Sequence, residues 1–236
     1  GISGGIDSTV VAAICHEVSK RTNIPLIGRS LPTTNSKTNE VSTADLVGKG
    51  DFKATAFWDG KAVGVAESKV LGQTVTVTLN LTEKHLWEVG NGRLYDLVLT
   101  YGEDTVKSYF GLRTVQLDGY RFLINGKSVF QRLVLDQGYY PDGLYTAPTD
   151  EALAFDIEKT KEFGYNMIRK HVKVEPARWY WHCDRLGMLV WQDMPSPKHG
   201  DNKWGRKNYD EGTDSQITQE GKDNFYNEWA QIINDF

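Results

Sequence analysis

Cysteine is scarce in this chain of 236 residues, and the two that occur, Cys15 and Cys183, stand far apart. Neither has a second cysteine or a histidine at the spacing of a zinc finger. Each has an adjacent histidine, but neighbours in sequence point in different directions on a helix. The sequence therefore gives no support for a structural zinc site.

Long apolar runs are also missing, since no stretch approaches the roughly 20 residues that a membrane-spanning helix needs. The chain has no excess of basic residues either, because it contains 27 Lys and Arg but 31 Asp and Glu, which gives a net charge of −4. We therefore expect no membrane and no nucleic acid among the partners. No signal peptide is visible, but the chain starts at Gly1 rather than Met. We expect it to be cut at its front end, and the compartment stays open.

The composition that remains is that of a globular protein, with 39% hydrophobic, 25% charged and 11% aromatic residues. The hydrophobic period changes twice along the chain. These changes predict a multi-part α and β protein with domains at residues 1–48, 49–127 and 128–236.

The first stretch has the pattern of an α/β protein. In STVVAAICHEVSKRT, apolar residues recur at helical spacing, and IPLIGRSL is a short apolar strand candidate. A loop, a helix and a strand are therefore expected in this order.

The second stretch alternates with a period of two. In VTVTLNL, apolar Val75, Val77 and Leu79 alternate with polar residues, as in a half-buried strand. Residue pairs that favour tight turns occur in this stretch at Asp59-Gly60, Asp118-Gly119 and Asn125-Gly126. Several short strands separated by such turns predict a β-sandwich.

After Phe130 strands and helices alternate. SVFQRLVL, YNMIRKH and MLVWQDM are strand candidates, and helices are expected near 150–163 and between Pro176 and Gly187. Repeated strand-helix units indicate a parallel sheet or barrel. QEGKDNFYNEWAQIINDF is expected to form a last, amphipathic helix.

The loop at the front places glycines and hydroxyl side chains at a helix N-terminus, where backbone N–H groups hold phosphates. Its sequence, SGGIDS, lacks the Lys-Ser/Thr end of a Walker loop. With the following IPLIGRSLPTTNSKTNEVSTADLV, it resembles the ATP-pyrophosphatase loop of ammonia-dependent NAD synthetases. The resemblance implies ATP and Mg²⁺ as cofactors if this part is functional, with Asp7 near the metal ion. The implied ATP-binding residues are Ser3, Gly4, Gly5, Asp7 and Ser8.

From about residue 51 to 236 the chain resembles glycoside hydrolase family 2, the family of β-galactosidases and β-glucuronidases. HLWEVGNGRLYDLVLTY and DTVKSYFGLRTVQLDGYRFLINGKSVF are similar to its immunoglobulin-like sandwich. GYNMIRKHVKVEPARWYWHCDRLGMLVWQDMP is similar to its catalytic barrel. The resemblance implies an incomplete (β/α) TIM barrel, a carbohydrate substrate and no cofactor.

Retaining glycosidases use two carboxylates, about 5 Å apart, as acid/base and nucleophile. In the resembling family both are glutamates on later barrel strands, so we expect both to be missing from this chain. Asn227-Glu228 lies within a helical pattern, and we interpret Glu228 as a surface residue without a catalytic role.

Candidate sugar-binding residues stand at the ends of the first three barrel strands, where such barrels bind their ligands. Asp136, His171 and Asp193 end these strands, and Arg169 is a fourth candidate. Loop capping by the aspartates, packing by His171 and an interior ion pair of Arg169 are alternatives. Aromatic side chains that would stack on sugars or fill the core are Trp179, Tyr180, Trp181 and Trp191.

Three functional hypotheses follow. The first is a retaining β-glycosidase, β-galactosidase-like and inactive in this piece. The second is ATP-dependent NAD synthesis, and the third is a structural or carbohydrate-contacting module without catalysis. An incomplete barrel is also expected to leave a bare face around Ile168, Leu189 and Trp191, through which copies of the chain would self-associate.

Overall fold

A computed structural model describes residues 26–28, 39–45, 50–70, 74–195 and 218–235. Two antiparallel sheets occupy the first half of this part. The first sheet has the order β1-β2-β5, with strands β1 (Leu26–Gly28), β2 (Asn39–Asp45) and β5 (Thr74–Asn80). The second has the order β4-β3-β6-β7, with strands β3 (Gly50–Trp58), β4 (Lys61–Val70), β6 (Tyr95–Tyr101) and β7 (Asp104–Phe110).

The two sheets share one apolar core. Val75, Val77 and Leu79 of β5 are buried on one face of their strand, as the alternating pattern predicts. They pack with buried side chains of the second sheet, among which Tyr95, Phe52 and Phe110 are the largest. Strand β2, which precedes residue 48, pairs with β5 along its whole length. The first sheet therefore contains strands from both sides of the predicted domain boundary near residue 48.

Two of the predicted turns close hairpins with two residues of positive φ. Asp59 and Gly60 have φ of 50° and 75° between β3 and β4, and Asn125 and Gly126 have 52° and 75°. This geometry matches the right-handed twist of strands and favours Asx-Gly pairs. At the third site Asp118 is the last residue of a strand and pairs with Arg121, so the turn consists of Gly119 and Tyr120. The small sheet here has the order β10-β9-β8, with strands β8 (Val115–Asp118), β9 (Arg121–Ile124) and β10 (Lys127–Ser128).

The next part alternates strand and helix, as predicted. Its elements are β11 (Leu133–Asp136), α1 (Asp150–Glu162), β12 (Met167–Lys170), α2 (Ala177–Leu186) and β13 (Leu189–Gln192). The strands form a parallel sheet of order β11-β12-β13. Thr149 caps α1 by accepting the Ala152 N–H, and Gly187, with φ of 70°, ends α2 in a left-handed conformation that glycine favours.

The bare face that the sequence predicted around Ile168 and Leu189 is not present, because both side chains are buried. Successive residues of a strand point to opposite faces. Ile168 packs with residues of α1 and α2 on one face. Leu189 packs on the other face with Trp87 and Phe122 from the β-rich part. Trp191 is partly buried as well. The prediction of a bare face was therefore wrong, because it did not consider that the preceding β-rich part of the chain covers this side of the sheet.

Several hydrogen bonds fix the β-rich part to helix α2. Trp87 Nε1 donates to the Asp184 carbonyl at 2.7 Å, and the Tyr109 hydroxyl donates to the Asp184 carboxylate at 2.9 Å. Lys161 Nζ donates to the carbonyls of Gly90 and Leu186 at 2.9 and 2.8 Å. The parallel sheet is therefore held in a defined position against the strands before it.

The last helix, α3 (Gln219–Asp235), confirms the helical pattern near the C-terminus. Glu228 lies on its exposed surface, in agreement with its interpretation as a surface residue. Trp229 and Ile233 of the expected apolar face are also exposed. None of the helices in the described ranges is long and apolar enough to cross a membrane.

Candidate functional site

The C-terminal edge of the parallel sheet brings the predicted sugar-binding residues together. In the strand register, Asp136 lies beside Lys170, and Lys170 lies beside Gln192. The residues that follow continue this alignment, because the His171 N–H donates to the Asp136 carbonyl at 2.9 Å and the Asp193 N–H donates to the Lys170 carbonyl at 3.1 Å. Sequence reasoning thus placed the four candidates at one edge, and their roles in binding stay predictions.

Arg169 and Asp193 form a two-pronged ion pair at this edge. Arg169 Nε lies 3.1 and 3.2 Å from the two carboxylate oxygens of Asp193, and Nη2 lies 3.0 Å from Oδ2. The hydrogen bond to Asp193 raises the pKa of Arg169. The Arg169 side chain is 40% exposed, whereas that of Asp193 is 14% exposed. The pair therefore presents a fixed guanidinium to solvent, with the Trp191 ring centroid 5.8 Å away.

His171 is oriented by the side chain that follows β11. Gln137 Nε2 lies 3.2 Å from His171 Nδ1. When the amide donates this bond, Nδ1 accepts and the ring proton resides on Nε2. His171 is partly exposed at the edge of the sheet, and in this tautomer its Nε2–H is a hydrogen-bond donor.

Asp136 is engaged within the protein on both carboxylate oxygens. Oδ2 lies 2.5 Å from Lys170 Nζ, and Oδ1 accepts the Gly138 N–H at 2.7 Å. The second bond is the loop-capping arrangement that the sequence left as an alternative. Its carboxylate thus fixes the loop after β11 and the buried ammonium group of Lys170.

A buried charge cluster lies behind this edge, and sequence reasoning missed it. Lys170 and Glu175 side chains are each 1% exposed, and Lys170 Nζ lies 3.0 Å from Glu175 Oε1. Lys173 Nζ lies 2.9 Å from the same oxygen. Burial raises the pKa of Asp156, and the nearby carboxylates of Asp136 and Glu175 raise it further. The sequence feature that could have indicated this cluster is the presence of three charged residues, Lys170, Lys173 and Glu175, within and directly after an apolar strand.

Gly138 is required where the loop crosses this cluster. Its φ is +65°, and a Cβ atom there would lie 2.2 Å from Glu175 Oε1 and 2.8 Å from Lys173 Nζ. A side chain at this position would therefore be strained and would also displace the ion pairs.

Of the aromatic residues considered for stacking on sugars, two belong to the core. Trp179 is fully buried and Tyr180 is nearly so. Trp181 stacks with Arg178, whose Cζ lies 3.9 Å from the ring centroid. Only Trp191 of this set stands beside Arg169.

The predicted ATP and Mg²⁺ site falls on residues 1–25, which lie outside the described ranges. Its residues are Ser3, Gly4, Gly5, Asp7 and Ser8. Within the described part of the chain, no group of three or more His, Cys, Asp or Glu side chains is arranged to hold a metal ion.

The family model of NAD synthase matches residues 1–56. A β-glucuronidase from Streptococcus agalactiae serotype V is 27% identical over 137 residues, which are 55% of this chain and 22% of that protein. A β-galactosidase from Vibrio vulnificus is 27% identical over 142 residues, 58% of this chain and 14% of the relative. The chain therefore resembles two kinds of enzyme. NAD synthase similarity lies at its front, and glycoside hydrolase similarity covers the rest.

Solved structures share the fold. A β-glucuronidase from Ruminococcus gnavus superimposes with a TM-score of 0.58 at 22% identity, covering 72% of this chain and 28% of that one. The same enzyme has been solved in complex with D-glucuronic acid, with a TM-score of 0.58 at 21% identity, 72% of this chain and 30% of that chain. The chain thus has a partial glycosidase fold and spans less than a third of these enzymes. The NAD synthase match extends past the predicted boundary near residue 48 into β3.

Proposed function

We propose that residues 49–236 are part of a retaining β-glycosidase of glycoside hydrolase family 2. On this proposal the two antiparallel sheets are its immunoglobulin-like sandwich, and β11, β12 and β13 are the first strands of its TIM barrel. The β-glucuronidase and β-galactosidase relatives and the shared fold with the Ruminococcus gnavus enzyme support this assignment. The substrate class is a β-linked hexopyranoside.

The observation that carries the proposal is the group of Arg169, His171 and Asp193 at the C-terminal edge of a parallel sheet. Barrel enzymes bind substrates at this edge. The ion pair uses Nε and Nη2 of Arg169, so Nη1 takes no part in it. A guanidinium fixed in this way is suited to a sugar hydroxyl or to the carboxylate of a uronic acid.

His171 would donate a second hydrogen bond to the same ring, and Asp193 would act through Arg169. We assign Asp136 a positioning role, because both of its oxygens are engaged with Lys170 and Gly138.

No residue of the chain is assigned as the acid/base or the nucleophile. Asp193 and Asp136 are each bound to a cation, and Glu175 is buried between two lysines. A general acid requires a proton at working pH and access to the glycosidic oxygen. The described residues therefore bind and orient the sugar, and cleavage is assigned to glutamates of later strands, as the family resemblance implies.

ATP-dependent NAD synthesis is the second candidate, favoured by the NAD synthase match over residues 1–56. It would require ATP and Mg²⁺ at the front loop. A carbohydrate-contacting or structural module without catalysis is the third. Ligand binding separates the synthetase part, which binds ATP, from a purely structural module, which binds neither ligand. The glycosidase part and a carbohydrate-contacting module both bind a sugar, and glycoside hydrolysis by a protein that includes the later strands separates these two.

The test is an NMR titration of the isotope-labelled 236-residue chain with D-galactose, D-glucuronic acid and ATP with Mg²⁺. We expect millimolar sugar affinity, with shifts at Arg169 Nε and at the His171 ring. Asp193→Asn should weaken sugar binding by roughly tenfold, the value of one charge-assisted hydrogen bond.

Asp150→Asn is the matched control, since Asp150 binds Arg178 through the same two-pronged geometry on the helix layer. It should leave sugar affinity unchanged. Absence of sugar-induced shifts at Arg169 and His171, or equal losses in both variants, would refute the proposed site.

A further inference from the structure

Two Asn-Gly pairs occur in the chain, and their surroundings differ. Asn91-Gly92 lies in the loop that leads into β6, and Asn125-Gly126 forms the turn between β9 and β10. An asparagine followed by glycine is chemically labile, because glycine has no side chain to hinder attack of its backbone nitrogen on the preceding carboxamide. The molecule thus contains the same reactive dipeptide in two different settings.

The carboxamide of Asn125 is held at both of its ends. Its Oδ1 accepts the Thr114 N–H at 2.9 Å, and its Nδ2 donates to the Trp87 carbonyl at 2.9 Å. The side chain must give up both hydrogen bonds before its carbon can reach the Gly126 nitrogen. The turn therefore protects Asn125 from this reaction.

The carboxamide of Asn91 has a different environment. Asn91 is exposed, and among the described residues no hydrogen bond engages its side chain or the Gly92 N–H. Only its main chain is held, since its N–H donates to the Glu88 carbonyl at 2.9 Å and its carbonyl accepts the Glu88 N–H at 3.0 Å. The Asn91 side chain can therefore turn toward the Gly92 nitrogen without breaking a bond.

We propose that Asn91 is a site of spontaneous deamidation in the folded chain. The Gly92 nitrogen attacks Asn91 Cγ to form a cyclic succinimide, and the amide proton of Gly92 leaves with the side-chain nitrogen as ammonia. Water then opens the ring at one of its two carbonyls and gives aspartate or isoaspartate. One water is consumed and one ammonia released, so no cofactor or second protein is needed.

The reaction has a structural consequence, because this loop lies against the end of α2. The Gly90 N–H donates to the Gly187 carbonyl at 2.8 Å. Gly92 approaches α2 so closely that a Cβ atom there would overlap the Asp184 carbonyl oxygen. Isoaspartate at position 91 adds a methylene group to the main chain between these two contacts. Its formation therefore loosens the attachment of the β-rich part to α2.

The test incubates the folded 236-residue chain at mildly alkaline pH and follows both pairs by peptide mapping with mass spectrometry. We expect Asn91 to react roughly thirtyfold faster than Asn125. At about tenfold in rate per 1.4 kcal/mol, this ratio corresponds to about 2 kcal/mol, the value of the two hydrogen bonds of Asn125. In guanidinium chloride the two rates should become similar, because both dipeptides then lack their folded surroundings.

Two variants separate the possible causes of the structural effect. Asn91→Gln should not react, because its longer side chain has to close a larger ring, and it should keep the melting temperature of the parent through the incubation. Asn91→Asp introduces the new charge without the extra methylene and should keep the contact with α2. The isoaspartate form, purified from the incubated parent, should melt at a lower temperature and show faster hydrogen exchange at the Gly90 amide.

Equal rates at Asn91 and Asn125 in the folded chain would overturn the inference. Survival of Asn91 in the folded chain, with both pairs reacting in guanidinium chloride, would overturn it as well, since the loop would then protect its carboxamide. An isoaspartate form with the parent's melting temperature and Gly90 exchange would contradict the predicted loosening. So would an equal loss of stability in incubated Asn91→Gln, because the cause would then lie elsewhere in the chain.

Discussion

The substitution Lys170→Met tests the buried charge cluster directly. The Lys170 ammonium lies 2.5 Å from Asp136 Oδ2, 3.0 Å from Glu175 Oε1 and 4.4 Å from the Trp179 ring centroid. Methionine fills a similar volume but leaves these carboxylates without their shared cation. Removing one partner of a buried ion pair costs about 3–5 kcal/mol in unfolding free energy. In this variant Asp136 loses its cation, and Glu175 keeps only Lys173. The melting temperature should fall by roughly 10 °C for a chain of this size.

Urea unfolding followed by tryptophan fluorescence measures the effect in the full chain. Lys159→Met is the control, because Lys159 also lies 2.5 Å from a carboxylate, that of Glu162, but on the exposed surface. It should change stability by less than about 0.5 kcal/mol. Equal stability of Lys170→Met and the parent at pH 7 would refute the claim that this cluster depends on its central cation.

Four further outcomes are expected. Gly138→Ala should destabilise the chain by at least about 1 kcal/mol in urea unfolding, because φ is positive and the new Cβ atom would lie 2.2 Å from the buried Glu175 Oε1. Burial raises the pKa of Asp156, so ionisation of this carboxyl opposes folding when the pH is above its pKa in the unfolded chain. Asp156→Asn should therefore raise the melting temperature slightly at pH 7 and have no effect near pH 3, where the carboxyl is protonated in both states. Hydrolysis of aryl β-galactosides and β-glucuronides should equal the buffer rate, and turnover abolished by Glu228→Gln would contradict this. A polypeptide that begins at Gly50 lacks β2 and exposes the edge of β5, so it should self-associate more strongly than one that begins at Asn39. Sedimentation measures this self-association, and equal behaviour of the two polypeptides would show that β2 is dispensable.

The resemblance to β-glucuronidases and β-galactosidases was accessible from sequence because contiguous motifs carry it. Alternation in VTVTLNL, the Asx-Gly pairs and the Pro176 and Gly187 helix ends each depend on a few neighbouring residues. Local backbone preferences decide such features, and the structure has them where the sequence placed them, except that the third turn consists of Gly119 and Tyr120. For the same reason the four candidate residues could be placed at one edge of a parallel sheet.

The partners of those residues were decided only by tertiary structure. Nothing in the sequence pairs Arg169 with Asp193, or Lys173 with two carbonyls of a loop that begins 35 residues earlier in the chain. Such contacts depend on the register of neighbouring strands and on which side chains share a face. A one-residue shift of a strand would reverse every face, and only the packed sheet fixes that choice.

The same physical reason explains the error at Leu189, which was expected on a bare surface. Its cover comes from Trp87 and Phe122, far away in sequence and brought there by the bonds between the β-rich part and helix α2. The sequence by itself determined the elements, their order and the enzyme families that the chain resembles. The tertiary structure decided which charges are buried together, which aromatic rings stay exposed, and which surfaces remain for a ligand, because these depend on contacts between distant segments.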